Sequence, residues 1–349
     1  MSKPINILIV DDSAFMRLLI GDILSKDPDL LIVGTASDGK EAVEQAKELN
    51  PDVILMDLVM GEYDGLYATK EIMAFKPIPI LILSSVGNSN LEPVFEALRL
   101  GAVDYINKPN RNNAKMRLME EELIHTIRQV AKKAKPRRIQ HQEPTSQSKL
   151  STKNHAKANC DVVVIGASTG GPSALEQVIR SLPENLSVPV IIVQHMPANF
   201  IEPFVHRLDS LTPLKVVSGN ENMLPVRGMI VIASGNTNLC FVKDKSTGKI
   251  VLGNDPKTYK EYNHPSINSL FLSTAEFFRE KAIAVLMTGM GKDGVVGLKA
   301  IKEAGGTTIV QDQETSVIFG MPKAAIAEGA AMHVLPLYQI GNQIVRLIK

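Results

Sequence analysis

Along residues 5–134, short runs of apolar positions alternate strictly with stretches whose apolar residues recur every three to four positions. The runs fall at 7–10, 30–34, 53–56, 78–83 and 103–106; the helical patterns begin near Ser13, Asp38, Asp64, Asn90 and Asn113. Strands that are apolar throughout, rather than at every second residue, have both faces covered. The pattern therefore predicts a doubly wound α/β domain with five parallel strands. A second alternation starts near Asn159. Strands are expected at 162–165, 188–193, 229–233, 282–287, 307–310 and 332–335, with helices at 173–182, 201–211, 267–280, 294–304 and 323–328. This half reads as a larger, Rossmann-like, mostly parallel α/β domain. The hairpin-like segment 239–254, with its turn signal Lys245-Ser-Thr-Gly248, is expected to add antiparallel strands to that sheet.

Between the two halves the pattern stops. Residues 131–157 carry eight basic residues (Lys132, Lys133, Lys135, Arg137, Arg138, Lys149, Lys153, Lys157) against Glu143, and their only large aliphatic residues are Ile139 and Leu150. Such a segment buries too little apolar surface to offset its ordering entropy. The expected division is a first domain over 1–130, a flexible basic linker over 131–158 and a second domain over 159–349.

Composition narrows the class. Hydrophobic residues make up 44% of the 349, ample for ordinary packed cores, and no run approaches the length of a membrane span. The polar start Met1-Ser-Lys-Pro is unlike a signal peptide. With Cys160 and Cys240 alone there is no disulfide framework and no Cys-based zinc site, and the seven histidines lack ligand spacing. These features point to a cytoplasmic protein. A net charge of +1 argues against a general nucleic-acid binder.

In a doubly wound sheet the site lies beyond the carboxyl ends of the strands. In the first domain those ends carry Asp11 and Asp12, Asp57, Ser84 and Lys108. Carboxylates brought together repel unless a hard cation such as Mg²⁺ takes their oxygens. A lysine and a hydroxyl beside them can hold a phosphoryl group. From Val10-Asp-Asp-Ser13 through Met56-Asp57, Ser84 and Lys108-Pro109, this domain resembles a response-regulator receiver. The resemblance implies that Asp57 accepts a phosphoryl group and that Asp12 and Asp57 bind Mg²⁺ with help from Asp11 and the Val59 carbonyl. It also makes Ser84 and Tyr105 the switch pair beside Lys108. Receivers usually carry Pro in the loop after the phosphorylated Asp, where this chain has Gly61.

The second domain opens with Val163-Val-Ile-Gly-Ala-Ser-Thr-Gly-Gly-Pro172, a buried strand ending in a small-residue turn with a proline suited to a first helical turn. Such a turn suits a dinucleotide pyrophosphate, a serine nucleophile in Gly166-x-Ser168-x-Gly170, or no chemistry at all. A dinucleotide site usually has an acidic residue at the end of its second strand. Here that strand ends in Gln194-His195-Met196-Pro197, with no carboxylate. His195 could instead serve Ser168 as general base. Asp293, in the second Gly-rich loop Thr288-Gly-Met-Gly-Lys-Asp-Gly294, could fix the imidazole, with backbone amides around Met290 facing an oxyanion. Taken alone, Asp293 could merely cap the helix from Gly294.

A receiver and linker followed by Ile165-Gly-Ala-Ser-Thr-Gly-Gly171, Gln194-His-Met196 and Thr288-Gly-Met-Gly-Lys-Asp-Gly294 resembles the chemotaxis protein-glutamate methylesterases. The resemblance implies hydrolysis of glutamate γ-methyl esters on chemoreceptors with release of methanol, and deamidation of receptor glutamines. It implies a Ser168–His195–Asp293 triad with Thr169 and Met290 beside the oxyanion, a histidine kinase as phosphodonor, and no cofactor for the ester chemistry. The alternative from another class is a phosphorylation-gated module that binds a nucleotide without catalysis. A DNA-binding output is disfavoured by the size and glycine content of the second half.

Overall fold

The computed structural model describes residues 3–84, 91–108, 116–133, 160–257, 259 and 265–348. The chain forms two compact units, Met1–Glu143 and Pro144–Lys349. All but the first three residues of the expected linker, and the helix starts near Asn90 and Asn113, lie outside the described residues.

The first unit runs β1 (Ile5–Val10), α1 (Ala14–Leu24), β2 (Leu30–Ala36), α2 (Gly39–Leu49), β3 (Val53–Asp57), α3 (Gly65–Phe75), β4 (Ile80–Ser84), α4 (Glu92–Leu100), β5 (Asp104–Asn107) and α5 (Met116–Lys133). The parallel sheet has the order β2-β1-β3-β4-β5, so the chain reverses direction across the sheet after β2. Three of the expected helix starts carry a side-chain cap. Ser13, Asp38 and Asp64 sit in extended conformation and accept hydrogen bonds from the amides of Met16, Glu41 and Tyr67. The central strands β3 and β4 are buried at every residue, which is why they read as continuous apolar runs.

The second unit continues with β6 (Val162–Ala167), α6 (Gly171–Arg180), β7 (Val190–Gln194), α7 (Ala198–Asp209), β8 (Lys215–Ser218), β9 (Met229–Ile232), β10 (Asn238–Lys243), β11 (Ile250–Asp255), α8 (Ile267–Phe278), β12 (Ala282–Leu286), α9 (Val295–Glu303), β13 (Thr307–Gln311), α10 (Met321–Ala327), β14 (His333–Leu335) and α11 (Leu337–Ile348). Seven strands form one parallel sheet in the order β14-β13-β12-β6-β7-β9-β8. Strands β12, β6 and β7 are wholly buried and adjacent at its centre.

The hairpin corrects one expectation. β10 and β11 pair antiparallel with each other but form a separate two-stranded sheet. Packing explains the separation. Leu239, Phe241 and Leu252 join the core with Leu270 and Phe271 of α8, and the Phe241 ring meets Phe278 edge-on with centroids 4.8 Å apart. The Phe241 amide is taken by Ser273 Oγ at 2.9 Å. The hairpin thus covers α8 instead of extending an edge of the large sheet.

Candidate active sites

In the first unit, neighbouring β1 and β3 bring Asp11 and Asp57 together, and Lys108 arrives from the end of β5. Lys108 Nζ lies 2.8 Å from Asp11 Oδ2 and 2.8 Å from Asp57 Oδ2. Asp57 Oδ1 accepts the amides of Leu58 at 2.8 Å and Val59 at 3.4 Å. Burial pushes the Asp57 carboxyl above its ordinary range, outweighing Lys108. For Lys108 burial works to lower the pKa, but the bonds to Asp11 and Asp57 prevail and raise it.

Carboxylate oxygens of Asp11, Asp12 and Asp57 lie within 4.8 Å of one another, with Asp12 exposed and the other two buried. Three hard anionic donors with one open side fit an octahedral Mg²⁺ that keeps several waters. Ser84 Oγ is buried beside this cluster's strands, with no hydrogen-bond partner among the described residues. Tyr105 is half-buried, and the Val59 side chain stands in solvent. Arg17 was not foreseen: its Nη1 donates to the Asp11 carbonyl at 2.6 Å and the Asp12 carbonyl at 3.2 Å, fixing the loop that carries both carboxylates.

In the second unit, Ser168 and His195 directly follow the adjacent strands β6 and β7, and Asp293 lies on the loop that leads from neighbouring β12 to α9. His195 Nδ1 is 3.1 Å from Ser168 Oγ, and Nε2 is 2.8 Å from Asp293 Oδ2. An ionised carboxylate only accepts, so Nε2 carries the proton and Nδ1 is left with the lone pair facing the serine hydroxyl. The sequence-predicted trio is one hydrogen-bonded line.

Asp293 does more than meet the imidazole. Its Oδ2 also accepts the Ile267 amide at 2.7 Å. Its Oδ1 accepts Ser266 Oγ at 3.0 Å, the Asn268 amide at 3.1 Å and the Gly294 amide at 2.9 Å. The carboxylate thus caps α8, whose own N-cap Ser266 makes no capping bond. The capping alternative is met at a different helix from the one the sequence indicated, and it coexists with the bond to His195. Burial alone would raise the Asp293 pKa. His195 and the α8 amides overcome it and hold the carboxyl below its usual range.

The turn itself is tightly fitted. Gly170 has φ +74°, and Gly171 packs so closely on Gln194 Oε1 that a Cβ would overlap it. Gly171→Ala is accordingly expected to destabilise the second unit by about 1–3 kcal/mol. A urea melt of this variant checks it; an unchanged midpoint would contradict the close packing. Thr288 Oγ1 ties the Gly-rich loops together, donating to the Thr169 carbonyl at 2.9 Å and accepting the Ile318 amide at 3.0 Å. The Thr169 and Met290 amides have no acceptor among the described residues, so both remain available as donors. Ser266 and Thr288 join the site only in the folded chain. Thr288 sits inside a quoted motif, whereas Ser266 carries no local signal.

Known proteins share this organisation. Residues 7–120 match the family described as response regulator receiver domain, and residues 163–344 match CheB methylesterase. The chain is 39% identical to protein-glutamate methylesterase/protein-glutamine glutaminase 2 of Carboxydothermus hydrogenoformans, covering 100% of both chains. It is 40% identical to the Thermotoga maritima protein-glutamate methylesterase/protein-glutamine glutaminase, covering 99% of each. The crystal structure of the Thermotoga maritima CheB methylesterase catalytic domain is similar with a TM-score of 0.52 and 39% identity, over 54% of this chain and 99% of that one. With both units matched and relatives aligned end to end, the chain belongs to the CheB methylesterase family and carries its receiver domain at the N-terminus.

Proposed function

We propose that this chain hydrolyses γ-methyl esters of glutamate side chains on chemoreceptors, deamidates receptor glutamines by the same route, and is controlled by phosphorylation of Asp57. The observation that carries the esterase reading is the line Ser168 Oγ–His195–Asp293, with steps of 3.1 and 2.8 Å. His195 Nδ1 takes the hydroxyl proton as Ser168 Oγ attacks the ester carbonyl. The Thr169 and Met290 amides stabilise the oxyanion of the tetrahedral intermediate. Its collapse expels methoxide, which leaves as methanol with the proton from His195. Water then attacks the acyl-enzyme, again losing its proton to His195, and glutamate departs as His195 returns that proton to Ser168 Oγ. With a glutamine side chain the leaving group is ammonia.

On the first unit, Asp57 is the phosphoryl acceptor, and Asp12 and Asp57, helped by Asp11 and the Val59 carbonyl, would hold the Mg²⁺. The ion would neutralise the carboxylates that otherwise repel a phosphodonor. Lys108 holds the transferred group, Ser84 supplies the hydroxyl that turns toward it, and Tyr105 repacks. The phosphodonor is a chemotaxis histidine kinase, and the setting is the cytoplasm. The division of labour is 1–130 for reception, 131–158 for linkage and 159–349 for hydrolysis. No described helix is long and apolar enough to cross a membrane.

Mass spectrometry of a methylated receptor fragment before and after incubation tests the reaction, and a serine-directed fluorophosphonate tests the nucleophile. Loss of methyl groups and label on Ser168 are expected; retention of a nucleotide with no label would favour the binding module. Asp293→Asn is expected to lower turnover by about 10³- to 10⁴-fold, because an amide turned toward Nε2 reverses the tautomer. It also places an NH₂ group among the five donors that Asp293 now accepts. Since the folded carboxyl titrates below its ordinary value, its ionised form favours folding: the contribution is present above the unfolded pKa and lost as pH falls through the folded one. Acid melts of wild type and Asp293→Asn should therefore converge as pH drops below about 4. Equal turnover in the two proteins at neutral pH would contradict the assignment.

A further inference from the structure

Ladder pairing between β6 and β7 ends at Ala167↔Gln194, with a last bond from the His195 amide to the Ala167 carbonyl at 3.0 Å. Ser168 and His195 therefore lie one residue past the point where the ladder holds the two strands in register. The side chain of Gln194 continues across that gap. Its Nε2 donates to the Ser168 carbonyl at 3.1 Å and to the His195 carbonyl at 2.9 Å. Carbonyls can only accept, so the nitrogen end of the amide must face this pair. Gln194 is 2% exposed, and its Oε1 has no hydrogen-bond partner among the described residues. That oxygen is pressed against Gly171, in the space a Cβ would need. A buried unpaired acceptor is unfavourable, and an apolar side chain of similar length would avoid it. The benefit of an amide here lies with its nitrogen, which bonds the backbone of both residues.

We infer that Gln194 is a positioning residue for the reaction: its amide nitrogen ties the Ser168 and His195 backbones together and so sets the 3.1 Å approach of Ser168 Oγ to His195 Nδ1. The inference rests on the esterase reading above. Gln194 touches no reacting atom, so its effect falls on the attack step and not on binding of the receptor. Misplacing a nucleophile relative to its base by an ångström costs about 100-fold. Gln194→Met keeps the length and volume but has no donor. Its kcat, and the rate at which a fluorophosphonate labels Ser168, are both expected to fall by about 10- to 100-fold at unchanged KM. Gln194→Glu gives a second signature. Protonated, the new carboxyl can still donate to one of the two carbonyls; ionised, it repels both. Its kcat should therefore acquire a descending alkaline limb that the wild type lacks, while circular dichroism across the same pH range shows the fold intact.

Full-length protein and a methylated receptor fragment serve for all three forms. A wild type that takes no label at Ser168 removes the esterase reading and this inference with it. A labelled wild type beside a Gln194→Met protein of equal kcat and labelling rate overturns the inference alone. So does a deficit that lies wholly in KM. Should Gln194→Met fail to fold, Gln194→Glu decides by its pH profile, and a profile parallel to wild type overturns the inference.

Discussion

Ser168→Ala is expected to abolish ester hydrolysis, by about a millionfold in turnover, while the second unit stays folded. Alanine retains the Cβ that packs on Gly289 and removes only Oγ, whose recorded partner is His195 Nδ1 at 3.1 Å. Folding should lose no more than about 1 kcal/mol, the cost of one ordinary hydrogen bond. Catalysis, in contrast, loses the atom that forms the acyl-enzyme. His195→Ala should cost nearly as much, and the double variant scarcely more than either single one, because nucleophile and base act as a unit. What survives would be the contribution of the oxyanion amides and of binding. Methanol release from a methylated receptor fragment, measured beside a thermal melt, checks both halves of the expectation. Near-normal turnover in Ser168→Ala would rule out a covalent route through this residue.

The site was legible because a parallel sheet concentrates chemistry at the carboxyl ends of its strands. Once β6, β7 and β12 are recognised, Ser168, His195 and Asp293 stand out as candidates after their ends, alongside a nucleotide turn and a simple cap; the folded chain brings the three into one hydrogen-bonded line. Their partners follow less readily. Ser266 precedes α8 in a loop with no motif, and only the folded chain shows Asp293 reaching across to cap that helix. A carboxylate and the helix it caps can be far apart in sequence, and pattern reading finds only local caps such as Ser13, Asp38 and Asp64.

Periodicity failed in three places, each for its own reason. β8 is four residues, Lys215–Ser218, at the sheet edge with one buried position, too short and too polar to register as a buried strand. α11 buries Ile340, Gly341, Ile344 and Ile348, a clear helical spacing, but one residue separates it from β14, so the strand pattern runs straight into the helical one. The hairpin at β10 and β11 carries a clear turn signal, yet its alternation cannot say which surface it covers. Phe241 settles that by burying itself against α8.

Asp57→Asn is expected to eliminate phosphoryl incorporation and, at the same time, to raise the melting temperature of the first unit. The first effect is chemical: asparagine matches the size of aspartate but cannot form the acyl phosphate. A small-molecule phosphodonor should label wild type at Asp57 only with Mg²⁺ present, because three carboxylates within 4.8 Å face the incoming anion and Lys108 supplies a single balancing charge. The second effect follows from burial. The Asp57 carboxyl titrates above its ordinary value in the fold, so the folded state holds that proton more tightly than the unfolded chain does. Stability from this group is then greatest at low pH and falls as pH rises from the unfolded pKa through the folded one. At neutral pH the ionised group opposes folding, and asparagine removes the opposition while Asp11 keeps its 2.8 Å partner Lys108. A rise of about 2–5 °C is expected by calorimetry at pH 7 without Mg²⁺, shrinking as the pH is lowered. Label that persists in Asp57→Asn, or that survives full chelation, would count against Asp57 as the acceptor. A lower melting temperature in the variant would mean that the bond from Lys108 to Asp57 outweighs the burial of its charge.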